Sequence, residues 1–375
     1  MKRTGFRVAV FVVAVLALMY RVGSHVPTNA GQQPQASTQG SGPALQSIGP
    51  LTFAPDGTLF AADTQSAAIF AIDLGARATG GAPGAKNIPA IDQKIAAMLG
   101  TEAREIQVTD LAVHPKTRNA YLSVMRGQGA DAKPVLLRVD GAGAIEIVKT
   151  DDLKFSRAEL PNAPAATPGG RRNPRADSIT DMAFVDGKLL VAGLSNEEFS
   201  SKLRTVSYPF GGVDNGASVE IYHGNHGALE TRSPVYTFVP YKIDNTQHLI
   251  AGYLCTPLVK FPLASLKPGA KVTGTTIAEL GNRNRPLDMI VYKKGGQDYL
   301  LMANNSRGVM KIPTAAFAAA QGITAPVKSE TSGVGFEPVT SMKGIEQLDL
   351  LNDTHSIVLA RGEGGVLNLE AVPLP

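Results

Sequence analysis

The chain has 375 residues, 43% of them hydrophobic, with 39 glycines, 25 prolines and a formal charge of +4, a composition that suits a large turn-rich core and excludes a disordered or collagen-like chain. Its excess of base lies in Lys2, Arg3, Arg7 and Arg21, so from residue 31 onward acids and bases balance and no global field draws the chain to nucleic acid. The single cysteine, Cys255, excludes an internal disulfide, a CxxC redox pair and covalent haem attachment.

Lys2, Arg3 and Arg7 precede an apolar run from Val8 to Met19, and small or polar residues occupy Thr28 to Ala30. This is the layout of a signal peptide over residues 1–30, cut after Ala30. The alternative is an uncleaved anchor through residues 8–20, closed by Arg21. In both cases the chain is expected to be exported, periplasmic or extracellular, with any membrane contact confined to this segment. Residues 31–47, rich in Gln, Ser, Gly and Pro, read as a flexible linker.

From Ile48 to the end one sentence recurs. LTFAPDGTLFAAD, starting at Leu51, is an apolar strand, a turn and a second strand ending in small residues. It returns as DLAVHPKTRNAYLSV from Asp110, DMAFVDGKLLVAG from Asp181, YTFVPYKIDNTQHLIAG from Tyr236, DMIVYKKGGQDYLLMA from Asp288 and EQLDLLNDTHSIVLA from Glu346. A third apolar run follows most copies. The spacing from Pro50 to Glu346 averages about 59 residues, more than the roughly 40–50 of compact propeller repeats, so insertions are expected. IPAIDQKIAAMLG is one: Ile91, Ile95, Met98 and Leu99 share a helical face and Gly100 stops the helix. Residues 161–175 read as an exposed loop.

Units of three or four antiparallel strands that cannot bury their own faces imply an all-β, six-bladed β-propeller over residues 48–375, with a short helical insertion. A seventh blade between Ser200 and Ser233 stays open. The last unit ends after its third strand at Leu369, so residues 44–48 are expected to supply its outer strand and close the ring.

The repeat resembles secreted propellers of the NHL, YVTN and gluconolactonase/senescence-marker type, and the resemblance covers nearly the whole folded chain. The gluconolactonase resemblance implies a divalent cation held by Glu, Asn and Asp side chains near the channel, but that family's ligands do not map onto this chain one by one. The absence of tryptophan departs from tryptophan-aspartate repeats and excludes a tryptophan-derived quinone.

In an up-and-down blade, the loop between second and third strands and the approach to the next blade's first strand emerge on one face. That rule gathers Asp110, Asp181, Asp288 and Glu346 as candidate channel-mouth acids, and Asn196, Glu197, Arg283, Arg285, Asn304, Asn305 and Arg307 as candidate ligand contacts. Four converging acids require a cation, an arginine or raised pKa values; each also suits the simpler task of capping its own loop. His223 and His226, spaced HxxH in a Gly-rich loop, with Cys255 as a soft third donor, are candidate transition-metal ligands, against a plain structural role for all three. No G-x-S-x-G, P-loop, dinucleotide fingerprint or HExxH helix occurs. The expected function is binding of a small molecule, metal ion or protein partner at the channel mouth. The alternatives are a metal-dependent hydrolase with Asp288 or Glu346 as base and a redox-associated accessory subunit.

Overall fold

The computed structural model describes residues 35–36, 42–78, 82, 84, 86–167, 173–255 and 257–375. The segment expected to be a signal peptide or anchor, residues 1–30, lies outside the described residues, as does most of the stretch expected to be a linker before residue 42.

The recurring sentence folds as a hairpin because its turns carry residues that accept positive φ. Asp186-Gly187, Asp244-Asn245 and Gly295-Gly296 each form a two-residue loop with both φ angles positive, between 45° and 80°, the backbone twist that matches a right-twisted hairpin. A third antiparallel strand follows each hairpin. Blade 1 contains Leu51–Phe53, Leu59–Asp63 and Ala68–Asp73; blade 2 contains Ile106–Val113, Ala120–Arg126, Lys133–Val139 and Ile145–Ile147. Blade 3 contains Asp181–Val185, Lys188–Leu194, Ser201–Ser207 and Ala217–His223, and blade 4 contains Thr237–Ile243, Thr246–Gly252, Pro257–Pro262 and Thr275–Leu280. Pro286–Lys294, Gln297–Asn304, Gly308–Pro313 and Glu337–Pro338 make blade 5; Ile345–Leu350, His355–Arg361 and Leu367–Pro373 make blade 6. The propeller therefore has six blades. The stretch 200–233, open to a seventh, instead completes blade 3 and adds the short strand Ala228–Glu230 to its edge.

Each blade's middle strands are apolar at nearly every position because both faces are covered. Leu59 and Ala61 face Tyr121 and Leu136 of blade 2, whereas the alternate residues Phe60 and Ala62 face Leu189 and Val191 of blade 3. The other clusters join blades 2 and 6, 3 and 4, 4 and 5, and 5 and 6. The order around the ring is thus 1-3-4-5-6-2, with blades 1 and 2 exchanged relative to chain order.

Two crossings produce the exchange and close the ring. After blade 1's third strand the chain bonds Ile88 to Leu369 of blade 6 in both directions, 2.8 and 3.0 Å. The helix Ile91–Leu99 then buries Ile91 and Ile95 between blades 6 and 2, with Gly100 at φ 64° as its C-cap; Met98, expected on the same face, is left partly exposed. After blade 2, Lys154–Glu159 returns to pair with Ala68–Asp73 as blade 1's outer strand, and Gln35–Ala36 pairs beyond it. The expected closure by residues 44–48 does not occur. Ile48 and Leu45 pack at the blade 1–blade 2 junction, where Asp63 accepts the Gln46 and Ser47 N–H groups at 2.8 and 3.1 Å and the Ser47 hydroxyl at 2.7 Å.

Candidate functional site

The axis is built from the first strand of every blade, and the same chemistry laces neighbouring strands together. In blade 2, Thr109 donates its hydroxyl to the Ile48 carbonyl at 2.8 Å while Asp110 accepts the Leu51 N–H at 2.6 Å. In blade 3, Thr180 donates to Val235 at 2.5 Å and Asp181 accepts from Phe238 at 2.7 Å. Asp288 accepts from Leu348 of blade 6 at 2.8 Å, and Asp349 accepts from Val113 of blade 2 at 2.7 Å. The second oxygen of each carboxylate takes the N–H of the following residue, Leu111, Met182, Met289 or Leu350, at 2.7–2.8 Å. These carboxylates therefore satisfy strand N–H groups that open ladder edges would otherwise leave without partners.

Asp110, Asp181, Asp288 and Asp349 line one axial cavity of 280 Å³. A smaller space of 50 Å³, enough for about one or two waters, lies among Asp110, Asp181, Asp288, Thr109, Thr180 and Gln347. Gln347 donates its amide nitrogen to Asp288 at 3.0 Å and to Asp110 at 2.9 Å, so one neutral side chain bridges two acids. Among the described residues, no cationic side chain lines either cavity. Enclosure by protein and mutual repulsion raise Asp110 and Asp288 well above the usual carboxylate range, against their backbone donors. Enclosure likewise lifts Asp181 to about 7 and Asp349 to about 6.

Glu346, expected as the fourth axial acid, is not on the axis. The strand bulges between Ile345 and Gln347, as it does just before Asp110 and Asp288 in their blades, so Gln347 takes the place of those acids, Glu346 turns outward into a two-point ion pair with Arg361 (Nη2 to Oε2 at 2.7 Å), and Asp349 faces the axis two residues later. Asp349 shares with Asp110, Asp181 and Asp288 a large apolar residue directly after it, a pattern that Asp73-Leu74 and Asp152-Leu153 also show away from the axis.

Next to the inner space opens a pocket of 460 Å³, lined on its polar side by Gln65, Gln107, Thr109, Thr180, Gln347, the acid Asp177 and the arginines Arg175 and Arg285. Its walls come from approaches to the first strands, residues 47–50, 107–109, 176–180 and 285–287, and from second-to-third-strand loops of blades 1 and 2, so both loop classes do share this face. Arg285 stacks 4.3 Å over the Tyr236 ring, which fixes the guanidinium's direction and leaves its fork of donors free to meet an acceptor.

The other expected ligand contacts have local partners. Glu197 accepts from Lys202 at 2.6 Å and from Asn162 at 2.9 Å; against partial burial, these donors hold it below its ordinary range. Asn196 is exposed and bonds the Asn162 carbonyl through its backbone. Asn304, buried, joins Asn284 to the Gly308 and Met302 carbonyls, and Asn305 accepts the Arg285 N–H at 2.8 Å. Arg307 pairs with Glu330 at 2.9 Å and, with Arg283, borders a separate open depression. Of the seven, only Arg285 lines the axial pocket.

The histidine stretch is not at the channel mouth either. His223 ends the fourth strand of blade 3, and its loop lies against Glu279 on the fourth strand of blade 4. His223, His226 and Glu230 bring one donor atom each within 4.8 Å of one another. Glu230 takes the position expected for Cys255, which lies instead in a blade 4 loop and donates its N–H to the Asn284 carbonyl at 2.7 Å. Against its partial burial, bonds from His223, Ser233 and His226 pull Glu230 down to about 2.

No protein-family model and no curated protein sequence matches the chain. Similar solved structures include a chain of a mitotic checkpoint complex (9% identity, covering 98% of this chain and 99% of that chain, TM-score 0.36). Another is a PQQ-bound aldose sugar dehydrogenase from Streptomyces coelicolor (12% identity, 90% and 98% covered, TM-score 0.30). A third is an oxidoreductase described as a glucose dehydrogenase from Thermus thermophilus (14% identity, 91% and 99% covered, TM-score 0.31). No residue role or activity is carried over from them.

Proposed function

We propose that this chain is a binding propeller whose axial pocket takes a small polar molecule bearing an anionic group. The observation that carries the reading is the 460 Å³ pocket, which sets two arginines against a single acid, Asp177, among neutral Gln and Thr side chains, a volume within the range of small-ligand sites. Arg285, braced on Tyr236, supplies a pre-oriented fork for a carboxylate or phosphate. The Thr180 hydroxyl already donates to a backbone carbonyl, so its oxygen, with the Gln347 carbonyl, remains as an acceptor for ligand hydroxyls, whereas the Thr109 oxygen is shared with the Ser123 hydroxyl at 2.8 Å. A hydrolytic role is less well supported. Asp288, the candidate base, spends both oxygens on Met289, Leu348 and Gln347, and Glu346 is committed to Arg361.

The test is calorimetry and thermal unfolding of the chain with a panel of hydroxy acids, sugar phosphates and the matching neutral sugars. An acidic member should bind and raise the melting temperature, and Arg285→Ala should weaken it about tenfold or more while leaving the fold intact. That loss corresponds to about 1.4 kcal/mol. Binding of only the neutral sugars, or equal affinity in Arg285→Ala, would reject the assignment.

A further inference from the structure

The loop from His223 to Glu230 gathers donors in a way that hydrogen bonding alone leaves unbalanced. His223 Nδ1 lies 2.9 Å and His226 Nδ1 2.5 Å from the same oxygen of Glu230, and the two rings stand 3.8 Å apart. On its far side, His223 Nε2 faces Oε2 of Glu279 at 3.6 Å and has no hydrogen-bond partner, although His223 is 1% and Glu279 0% exposed. If Nδ1 carried the proton of a neutral His223, its Nε2 lone pair would point at a buried carboxylate. If both nitrogens carried protons, a buried imidazolium would be needed.

We propose that His223, His226 and Glu230 bind one divalent transition-metal ion of the zinc type, with Glu279 as the carboxylate that orients His223. With both Nδ1 lone pairs and the Glu230 oxygen on the metal, the His223 proton moves to Nε2 and points at Glu279. This is the carboxylate–histidine–metal arrangement that fixes ring orientation and tautomer. Two neutral imidazoles and two carboxylates give the site a charge of −2, matched to a divalent ion, and mixed nitrogen and oxygen donors suit zinc and its neighbours. Metal–ligand bonds of about 2.0–2.2 Å place tetrahedral donors about 3.3 Å apart, so the three atoms need to spread by under about 1 Å. His226, 52% exposed, has room to do so, and its exposure leaves the fourth position to water. The loop is held from outside the cluster: Glu279 accepts the Gly224 N–H at 2.5 Å, Val327 donates to the Gly224 carbonyl at 2.9 Å, and Ser233 bonds the other oxygen of Glu230 at 2.5 Å.

The test uses the full chain stripped with EDTA, titrated with Zn²⁺ by calorimetry and with Co²⁺ by visible absorption. One equivalent of Zn²⁺ should bind and raise the melting temperature, and Co²⁺ should show the absorption of a nitrogen- and oxygen-ligated site. Exposed His226→Ala should keep its fold by circular dichroism yet lose tenfold or more in affinity, and Glu279→Gln should lose about 10–100-fold. Failure of the folded wild type to take up stoichiometric metal, or equal affinity in His226→Ala, would overturn the site.

Discussion

The axial carboxylates and Glu230, at the junction of blades 3 and 4, are pushed in opposite directions by their environments. At the axis, Asp110, Asp181, Asp288 and Asp349 receive backbone N–H groups, and Asp110 and Asp288 also share the Gln347 amide. These donors are neutral, the acids face one another, and all four titrate above the ordinary range. At the rim, Glu230 receives two imidazoles and a hydroxyl and falls to about 2, while Glu279 beside it, wholly enclosed, is raised by that enclosure against the pull of His223 and Gly224. Enclosure wins at the axis and at Glu279, whereas on the less enclosed Glu230 three side-chain donors reverse it. The axial acids hold strands together at an electrostatic cost, and the rim acids hold groups able to bind a cation.

The largest effect that would break this comparison lies at Asp288. Asp288→Ala removes the acceptor of Met289 and Leu348, and each N–H left without a partner costs about 1–3 kcal/mol. Relief of repulsion on Asp110 offsets part of this. Urea unfolding should show a net loss of about 2 kcal/mol or more if lacing dominates. A variant as stable as wild type would mean that repulsion outweighs the laces.

A smaller, pH-dependent effect tests the axial ionisation. An unfolded aspartate titrates near 3.9, whereas Asp181 titrates at about 7 in the folded chain. Between about pH 4 and pH 7 the native state therefore binds more protons than the unfolded state, and this group's contribution to stability falls as pH rises through that window. Asp181→Asn does not titrate and loses one of the two strand bonds. Its deficit relative to wild type should be largest at about pH 4 and below, and shrink steadily as pH rises to about 8, as read from melting temperatures at each pH. A deficit that grows with pH would show that Asp181 is stabilised as the anion.

The alternation of apolar strands with Asp-Gly, Asp-Asn and Gly-Gly turns is readable as blades because hairpins are local, and the helix is readable from Ile91, Ile95 and Gly100. Ring order is not readable. The exchange of blades 1 and 2 depends on Lys154–Glu159 choosing the edge of Ala68–Asp73, and that choice is made by backbone groups that every strand carries. Three of the four axial acids, Asp110, Asp181 and Asp288, are identified by their place before a strand. Asp349 escapes that rule because in blade 6 the place directly after the bulge, held by Asp110 and Asp288 in blades 2 and 5, is taken by Gln347, and the axial acid comes two residues later. Glu230 comes from the same hairpin as His223, whereas Glu279 reaches it from blade 4, so the HxxH spacing carries only part of that cluster.

Glu346 provides the smallest effect and the control for the whole comparison. It directly precedes Gln347 in the chain and shares a strand with Asp349, yet its carboxylate leaves the axis and meets Arg361 through two bonds, with side-chain exposures of 38% and 44%. Water and salt screen a pair so exposed, and holding two long side chains in one geometry costs entropy, so such pairs contribute about 0.2–1 kcal/mol. Glu346→Gln should therefore lower stability by no more than about 1 kcal/mol, and the loss should vanish in about 1 M salt, where the screening length is about 3 Å. Since Glu346 neither laces strands nor faces Asp110, the substitution should also leave the pH dependence set by Asp181 unchanged. A salt-independent loss comparable to that of Asp288→Ala, or a displaced pH profile, would place Glu346 within the axial network after all and dissolve the distinction between enclosed and surface carboxylates.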